Sequence, residues 1–174
     1  MKRDLIFLID RSLSVYGSKK NILRFYRKII NSYSEDDLLI TICLFSDRSE
    51  TLCLRQPPEV TASILEKEYY NDGSSAIFDS LCSFIEDWDR YIQLTSASKT
   101  EAQLFIITDK VDNASTANTY DDAVSKINIK LEHNWQMKLY DMQFNEFQIE
   151  DFNVKGEKAW KPALKEDVSF VWKS

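Results

Sequence analysis

The sequence predicts an α/β domain with a mainly parallel central sheet, one antiparallel edge strand and helices on both faces. Three observations carry this. First, Leu5-Ile6-Phe7-Leu8-Ile9 and Leu104-Phe105-Ile106-Ile107 are unbroken apolar runs, the pattern of strands buried on both faces. Second, residues 18–33 place Ile22, Phe25, Tyr26, Ile29, Ile30 and Tyr33 on one helical face, with Lys and Arg opposite, as a crossover helix requires. Third, the apolar run at 38–45 is separated by Ser46-Asp47-Arg48-Ser49 from a shorter strand at 50–55, which reads as a hairpin adding an edge strand.

The remaining elements follow in order. Pro57-Pro58 stops the edge strand, because proline cannot continue a ladder. Residues 60–67 form a weak helical segment. From Ser75 a helix carries Ile77, Leu81, Phe84, Ile85, Trp88 and Ile92 on one face, with Ser74 or Ser75 as its N-cap. The polar run 95–100 precedes the third strand, which ends in Asp109 as the first ends in Asp10. A polar loop at 112–118 leads to Thr119, whose spacing to Asp122 resembles a capping box, and then to a helix with Val124, Ile127 and Leu131 inward. Residues 137–144 are the fourth crossover strand. From 145 the pattern weakens, with charged residues at 155–167, a last strand at 168–172, and Trp160 and Trp172 closing the core.

A chain of 174 residues is expected to form a single domain over 1–174. No apolar run approaches the roughly 18 residues that span a bilayer. The three cysteines, Cys43, Cys53 and Cys82, have no paired spacing and fall within elements, so buried, reduced thiols and a cytoplasmic location are expected. A net charge of −6 without a basic run opposes nucleic-acid binding.

Asp10, Ser12 and Ser14 leave the first strand at alternating positions, and ligands of open α/β sheets bind beyond the carboxyl ends of the strands. Asp109 ends a second strand on the same edge, and Gly73-Ser74-Ser75 opens a helix there. This set offers oxygen alone, as carboxylates and hydroxyls. Such donors suit Mg²⁺, with Mn²⁺ or Ca²⁺ as alternatives.

At these residues the sequence resembles the von Willebrand factor type A (vWA) domain family, whose metal-ion-dependent adhesion site (MIDAS) has three separated parts. Asp10-Arg11-Ser12-Leu13-Ser14 matches the Asp-x-Ser-x-Ser element. Residues 73–79 look like the second part, with Ser75 at the threonine position, and Ile106-Ile107-Thr108-Asp109 looks like the third. Asp112-Asn113 is similar to a continuation common in small bacterial members. The resemblance spans roughly residues 4–144 and implies a three-layer Rossmann-like vWA fold. It implies that Ser12, Ser14 and Ser75 bind the metal directly, while Asp10 and Asp109 act mostly through water. It also implies that a protein partner's carboxylate completes the shell, so the output is binding and no catalytic residue is assigned. Two departures stand out. Lys110 replaces the usual glycine and is expected to repel the ion or pair with Asp109, and Leu13 replaces a frequent glycine between the serines.

Two other readings remain. A scaffold of this fold without its ion would bind through another face, with Tyr69-Tyr70 either an exposed aromatic platform or a cap on the core; metal-independent partner binding distinguishes it. A Mg²⁺-dependent phosphoryl-transfer enzyme also places aspartates at strand ends, but the Asp-x-Asp pattern of haloacid dehalogenases has Ser12 at its second position here. His133 is the chain's single histidine and is expected at a helix end.

Overall fold

The structure is a computed structural model that describes residues 2–33, 37–95 and 101–154. The expected strand at 168–172, and Trp160 and Trp172, lie outside the described residues. The chain runs β1 (Lys2–Asp10), α1 (Lys19–Asn31), β2 (Asp37–Phe45), β3 (Ser49–Gln56), α2 (Pro58–Glu68), α3 (Ile77–Thr95) and β4 (Glu101–Ile107). It continues through β5 (Val111–Asp112), α4 (Tyr120–Glu132), β6 (Gln136–Tyr140), β7 (Glu146–Phe147) and β8 (Asn153–Val154).

Six strands form one sheet in the order β3-β2-β1-β4-β6-β7. The pairs β2–β1, β1–β4 and β4–β6 are parallel, while β3 and β7 are antiparallel to their neighbours. The apolar run of β1 is buried on both sides because its alternate residues enter different cores. Leu5, Phe7 and Ile9 pack with Ile22, Tyr26 and Ile29 of α1 and Leu65 of α2. Ile6 and Leu8 pack with Ile77, Leu81 and Ile85 of α3 and with Ile127 of α4. Three layers result, as expected for an α/β domain with helices on both faces.

The second antiparallel edge corrects the single one expected. The fourth crossover strand, expected over 137–144, ends at Tyr140 because the next residues close a tight turn. Asp141 Oδ1 accepts from Gln143 N–H (2.9 Å) and Asn145 N–H (3.1 Å), and Phe144 takes φ 63°. The chain therefore doubles back as β7, pairing Phe147 with Leu139. Pro58 does more than end β3: it occupies the first turn of α2, where its missing N–H has no partner to lose. The capping box at Thr119 and Asp122 is present on α4. The three cysteines are free and buried, and burial pushes the Cys43 thiol up to about 12.

A buried ion pair joins β1 to the edge of the sheet. Asp4 is fully buried, and Arg55, at φ 49° beside a register shift in β3, donates from Nε to its Oδ1 at 3.0 Å. Burial raises the Asp4 pKa above its ordinary 3.8, and the guanidinium opposes that rise. A folded pKa above the unfolded one means that the folded state holds the proton more tightly. This carboxyl's contribution is therefore most favourable below its unfolded pKa and is lost as pH rises through the folded value. Arg55→Met removes the opposing charge and should cost about 3 kcal/mol at neutral pH. The loss should shrink as pH falls and Asp4 takes up its proton; urea unfolding at neutral and at acid pH measures it.

Candidate metal centre at the carboxyl edge of the sheet

The strand order reverses between β1 and β4, since β1 leads by its crossover to β2 on one side and β4 lies on the other. At such a switch point the loops leaving the two strands diverge and open a crevice. Asp10 ends β1 and Asp109 follows β4, so both predicted carboxylates stand at this place.

Strand alternation aims Asp10. Ile6 and Leu8 face α3, and Asp10, two residues on, continues that face. Its side chain is fully buried and acts as a hub. Oδ1 accepts from Ser12 N–H at 2.8 Å, and Oδ2 accepts from Thr108 Oγ1 at 2.8 Å and from Ser75 Oγ at 3.4 Å. Ser12 Oγ and Ser14 Oγ share a hydrogen bond of 2.8 Å. Asp10, Ser12, Ser14 and Ser75 are thus drawn into one continuous contact chain. Ser12 and Ser75 are buried, and Ser14 is exposed at its mouth.

Ser75 reaches Asp10 because the loop before α3 is tied to the loop after β1. Asp72 N–H donates to Arg11 O (3.0 Å), Leu13 N–H donates to Gly73 O (3.0 Å), and Asn71 Nδ2 donates to the carbonyls of Arg11 and Ser12. Tyr69 is buried and its hydroxyl donates to Asp10 O at 2.8 Å, whereas Tyr70 is exposed. The aromatic pair therefore divides into one core cap and one surface ring. Gly73 takes φ 64°, the left-handed region in which any side chain is strained, and a Cβ on it would also displace the Asp47 carboxylate.

Neither Ser74 nor Ser75 caps α3, contrary to expectation. The first N–H groups of that helix are met from across the fold instead, Phe78 N–H by Asp112 Oδ2 (3.1 Å) and Asp79 N–H by Ser115 Oγ (3.1 Å). Ser75 N–H donates to Asn113 Oδ1 (2.8 Å). The hydroxyl of Ser75 is thereby left to face Asp10.

Asp109 makes no hydrogen bond to the four other predicted residues. Its Oδ1 accepts from Val111 N–H at 3.1 Å, and its charge reaches Asp10. Burial raises the Asp10 pKa most, and the Asp109 charge adds to the rise, against the hydrogen bonds from Ser12 and Thr108. A buried carboxylate whose ionisation is opposed by burial and by a second carboxylate is relieved by a cation nearby. The two neighbouring cationic side chains, Arg11 and Lys110, are engaged elsewhere. Arg11 pairs with Glu50 (2.9 Å) and Asp72 (3.3 Å). Lys110 directs Nζ to Asp141 Oδ2 (4.0 Å) and over the Phe147 ring, so the expected pairing with Asp109 is not formed. Among the described residues no three His, Cys, Asp or Glu side chains form a group that could hold a metal ion, and the oxygen donors gathered on Asp10 are hydroxyls. That donor set fits a hard divalent ion.

Lys110 sits at φ 67°, the left-handed region that explains the glycine usual at this place. Lys110→Gly should raise stability by about 1 kcal/mol, by relief of that conformation, at the loss of one weak ion pair. Because Nζ points to Asp141, Mg²⁺ affinity should change by less than about twofold; calorimetry and a thermal melt of the same variant separate the two effects.

Thr108 was not among the expected ligands, yet it holds Asp10 as closely as any of them. As the polar end of an apolar strand it carried one usable signal, the alternation that puts Leu104, Ile106 and position 108 on the α3 face. His133 caps the far end of α4 and its Nδ1 contacts Ile129 O, at the opposite edge of the sheet.

Proximal thread matrix protein 1 from the mussel byssus superposes with a TM-score of 0.61 at 14% identity, over 80% of this chain and 35% of that one. Manganese-loaded TRAP protein of Plasmodium vivax gives 0.62 at 16% identity, over 80% and 57%. A von Willebrand factor type A structure from Catenulispora acidiphila gives 0.57 at 15% identity, over 80% and 33%. The chain has a vWA fold. It spans between about a third and three-fifths of the length of these proteins. The mussel protein has also been solved with a zinc-occupied MIDAS motif. No family model and no curated protein matches the sequence. Within this fold the β1 and β4 ends and the loop before α3 are the parts that meet at the candidate centre.

Proposed function

We propose that this vWA domain is a metal-ion-dependent protein-binding module. Ser12, Ser14 and Ser75 would hold a divalent ion, Mg²⁺ foremost and Mn²⁺ or Ca²⁺ as alternatives, with Asp10 and Asp109 neutralising it from behind. The ion supplies a strong local positive charge with a coordination position open to an acidic residue of a partner. The single observation that carries this reading is the buried Asp10 carboxylate, coupled to Asp109 and ringed by hydroxyls, with both neighbouring cations paired elsewhere. The manganese and zinc in two structures of similar fold support it. The chain's own residues set the geometry: Asp10 fixes the loop through Ser12 N–H, Thr108 fixes Asp10, and the Gly73 turn brings up Ser75.

Binding rather than catalysis is the output. The one histidine of the sequence stands at the opposite edge of the sheet, which supports a site without a proton-transfer base. Buried free thiols support a reducing, intracellular setting, and no helix among the described residues is long and apolar enough to cross a membrane. The acidic balance of the chain favours a protein partner over nucleic acid.

Titrating Mg²⁺ and Mn²⁺ into the protein by calorimetry tests the reading. A saturable heat in the wild type that is absent in Asp10→Asn is the expected result. A folded wild type that gives no heat with either ion would sink it.

A further inference from the structure

A lone apolar side chain on a surface needs no explanation, whereas several gathered around one binding group do. Among the described residues six large apolar side chains are exposed. Three of them, Leu13 (60% exposed), Tyr16 (82%) and Tyr70 (53%), stand on the two loops that carry Ser12, Ser14 and Ser75. The others are dispersed over α2, α3 and α4.

The backbone of Leu13 and Tyr16 and the ring of Tyr70 are held in place. Leu13 lies between two of the candidate ligand serines, and its N–H is tied to Gly73 O at 3.0 Å. Tyr16 follows at the end of the same 3-10 turn, its N–H bonded to Leu13 O at 3.2 Å. The Tyr70 ring rests on the guanidinium of Arg11, 4.7 Å from the ring centroid, and Arg11 is itself buried and paired with Glu50 and Asp72. One part of the ring is therefore seated on a fixed cation while more than half of the side chain stays open to solvent. An aromatic side chain fixed before contact loses little entropy when covered, which is the character of an interface anchor.

We propose that Leu13, Tyr16 and Tyr70 form an apolar rim to the metal centre, and that the partner is a segment carrying one acidic residue beside a bulky apolar one. This rests on the metal-centre reading given above. The carboxylate is taken by the ion and the apolar neighbour by the rim. On the Gly73 side of the centre Asp47, Asp72 and Glu50 of β3 outnumber the one buried cation between them, Arg11, and disfavour a further acidic residue directed there. A single carboxylate flanked by an aromatic or aliphatic side chain is thus what the surface complements, and a general acidic tract is not.

A displayed library of random peptides, panned on the whole chain with Mg²⁺ and eluted with EDTA, tests the proposal. Enriched peptides should carry one Asp or Glu next to Phe, Trp, Leu or Ile. Their affinity should fall about tenfold in Tyr70→Ser and in Leu13→Ser, and be kept in Tyr70→Phe, while the Mg²⁺ heat persists in all three variants. Mg²⁺-dependent peptides without an apolar neighbour, or with affinity unmoved by the serine variants, overturn the rim and leave the metal centre standing. So does an empty selection from a Mg²⁺-binding protein; ultracentrifugation with and without Mg²⁺ then shows whether a second copy of this chain covers the rim instead. A wild type that gives no Mg²⁺ heat removes the metal centre itself, and the rim with it.

Discussion

Asp10→Asn should be at least as stable as the wild type without metal and clearly less stable with it. In the metal-free protein the carboxylate is buried and its ionisation is opposed further by Asp109, so a neutral group of the same shape is favoured. Asparagine keeps an acceptor for Ser12 N–H and can donate to Thr108 Oγ1, so the loop holds its form. Mg²⁺ reverses the order. A ligand that binds the folded state alone stabilises it by about 2.7 kcal/mol at a hundredfold excess over its dissociation constant. In a domain of this size that raises the wild-type melting temperature by roughly 5–10 °C, and the variant should show no rise. Melts of both proteins with EDTA and with Mg²⁺ give the four values needed. If the asparagine variant gains as much from Mg²⁺ as the wild type, the ion binds elsewhere.

The parts of this centre that sequence discloses are those set by local geometry. Asp10, Ser12 and Ser14 follow a strand at spacing two, so their convergence needs no knowledge of the rest of the chain. The ends of β1 and β4 are visible as apolar runs stopping at aspartate. The hairpin of β2 and β3 is visible as two strand patterns around a short polar turn. Contacts made between segments far apart in the chain are a different matter. The cap of α3 by Asp112 and Ser115, the bond from Tyr69 to Asp10 O, and the role of Thr108 each join residues more than thirty positions apart. No periodicity records such pairs, because each depends on where two elements lie after packing. The tight turn at Asp141 was hidden for another reason: Met142 and Phe144 are apolar and pack partly on the α1 side, so they extend the pattern of β6 past the end of the strand. Lys110 shows the limit of reading charge alone. It is the residue directly after Asp109, yet at φ 67° its ammonium lies by Asp141.

Arg11→Ala should unlatch the two loops of the centre. Arg11 occupies the variable position between Asp10 and Ser12, where local pattern assigns it no role, and it is the largest fully buried side chain described. Its N–H donates to Phe45 O at the end of β2, its carbonyl accepts from Asp72 N–H, and its guanidinium donates to Glu50 of β3. Nε lies 3.3 Å from Asp72 Oδ1 without the direction of a hydrogen bond, so that contact acts by charge and not by a shared proton. Three segments are therefore clamped by one residue, and Tyr70 covers the clamp. Truncation to alanine empties the space beneath that ring and leaves Glu50 and Asp72 without their cation. Both carboxylates are partly exposed and rehydrate, so lost packing dominates and the expected cost is about 2–4 kcal/mol by urea unfolding. Arg11→Met restores most of the volume and should recover about half of that. Mg²⁺ affinity should follow the latch and not the charge. The removal of a cation near the site would by itself strengthen metal binding, whereas a loosened Ser75 loop weakens it, by about tenfold in the alanine variant. Stronger Mg²⁺ binding in Arg11→Ala would mean that the Ser75 loop keeps its place without the guanidinium, held by its backbone bonds to residues 11–13 alone.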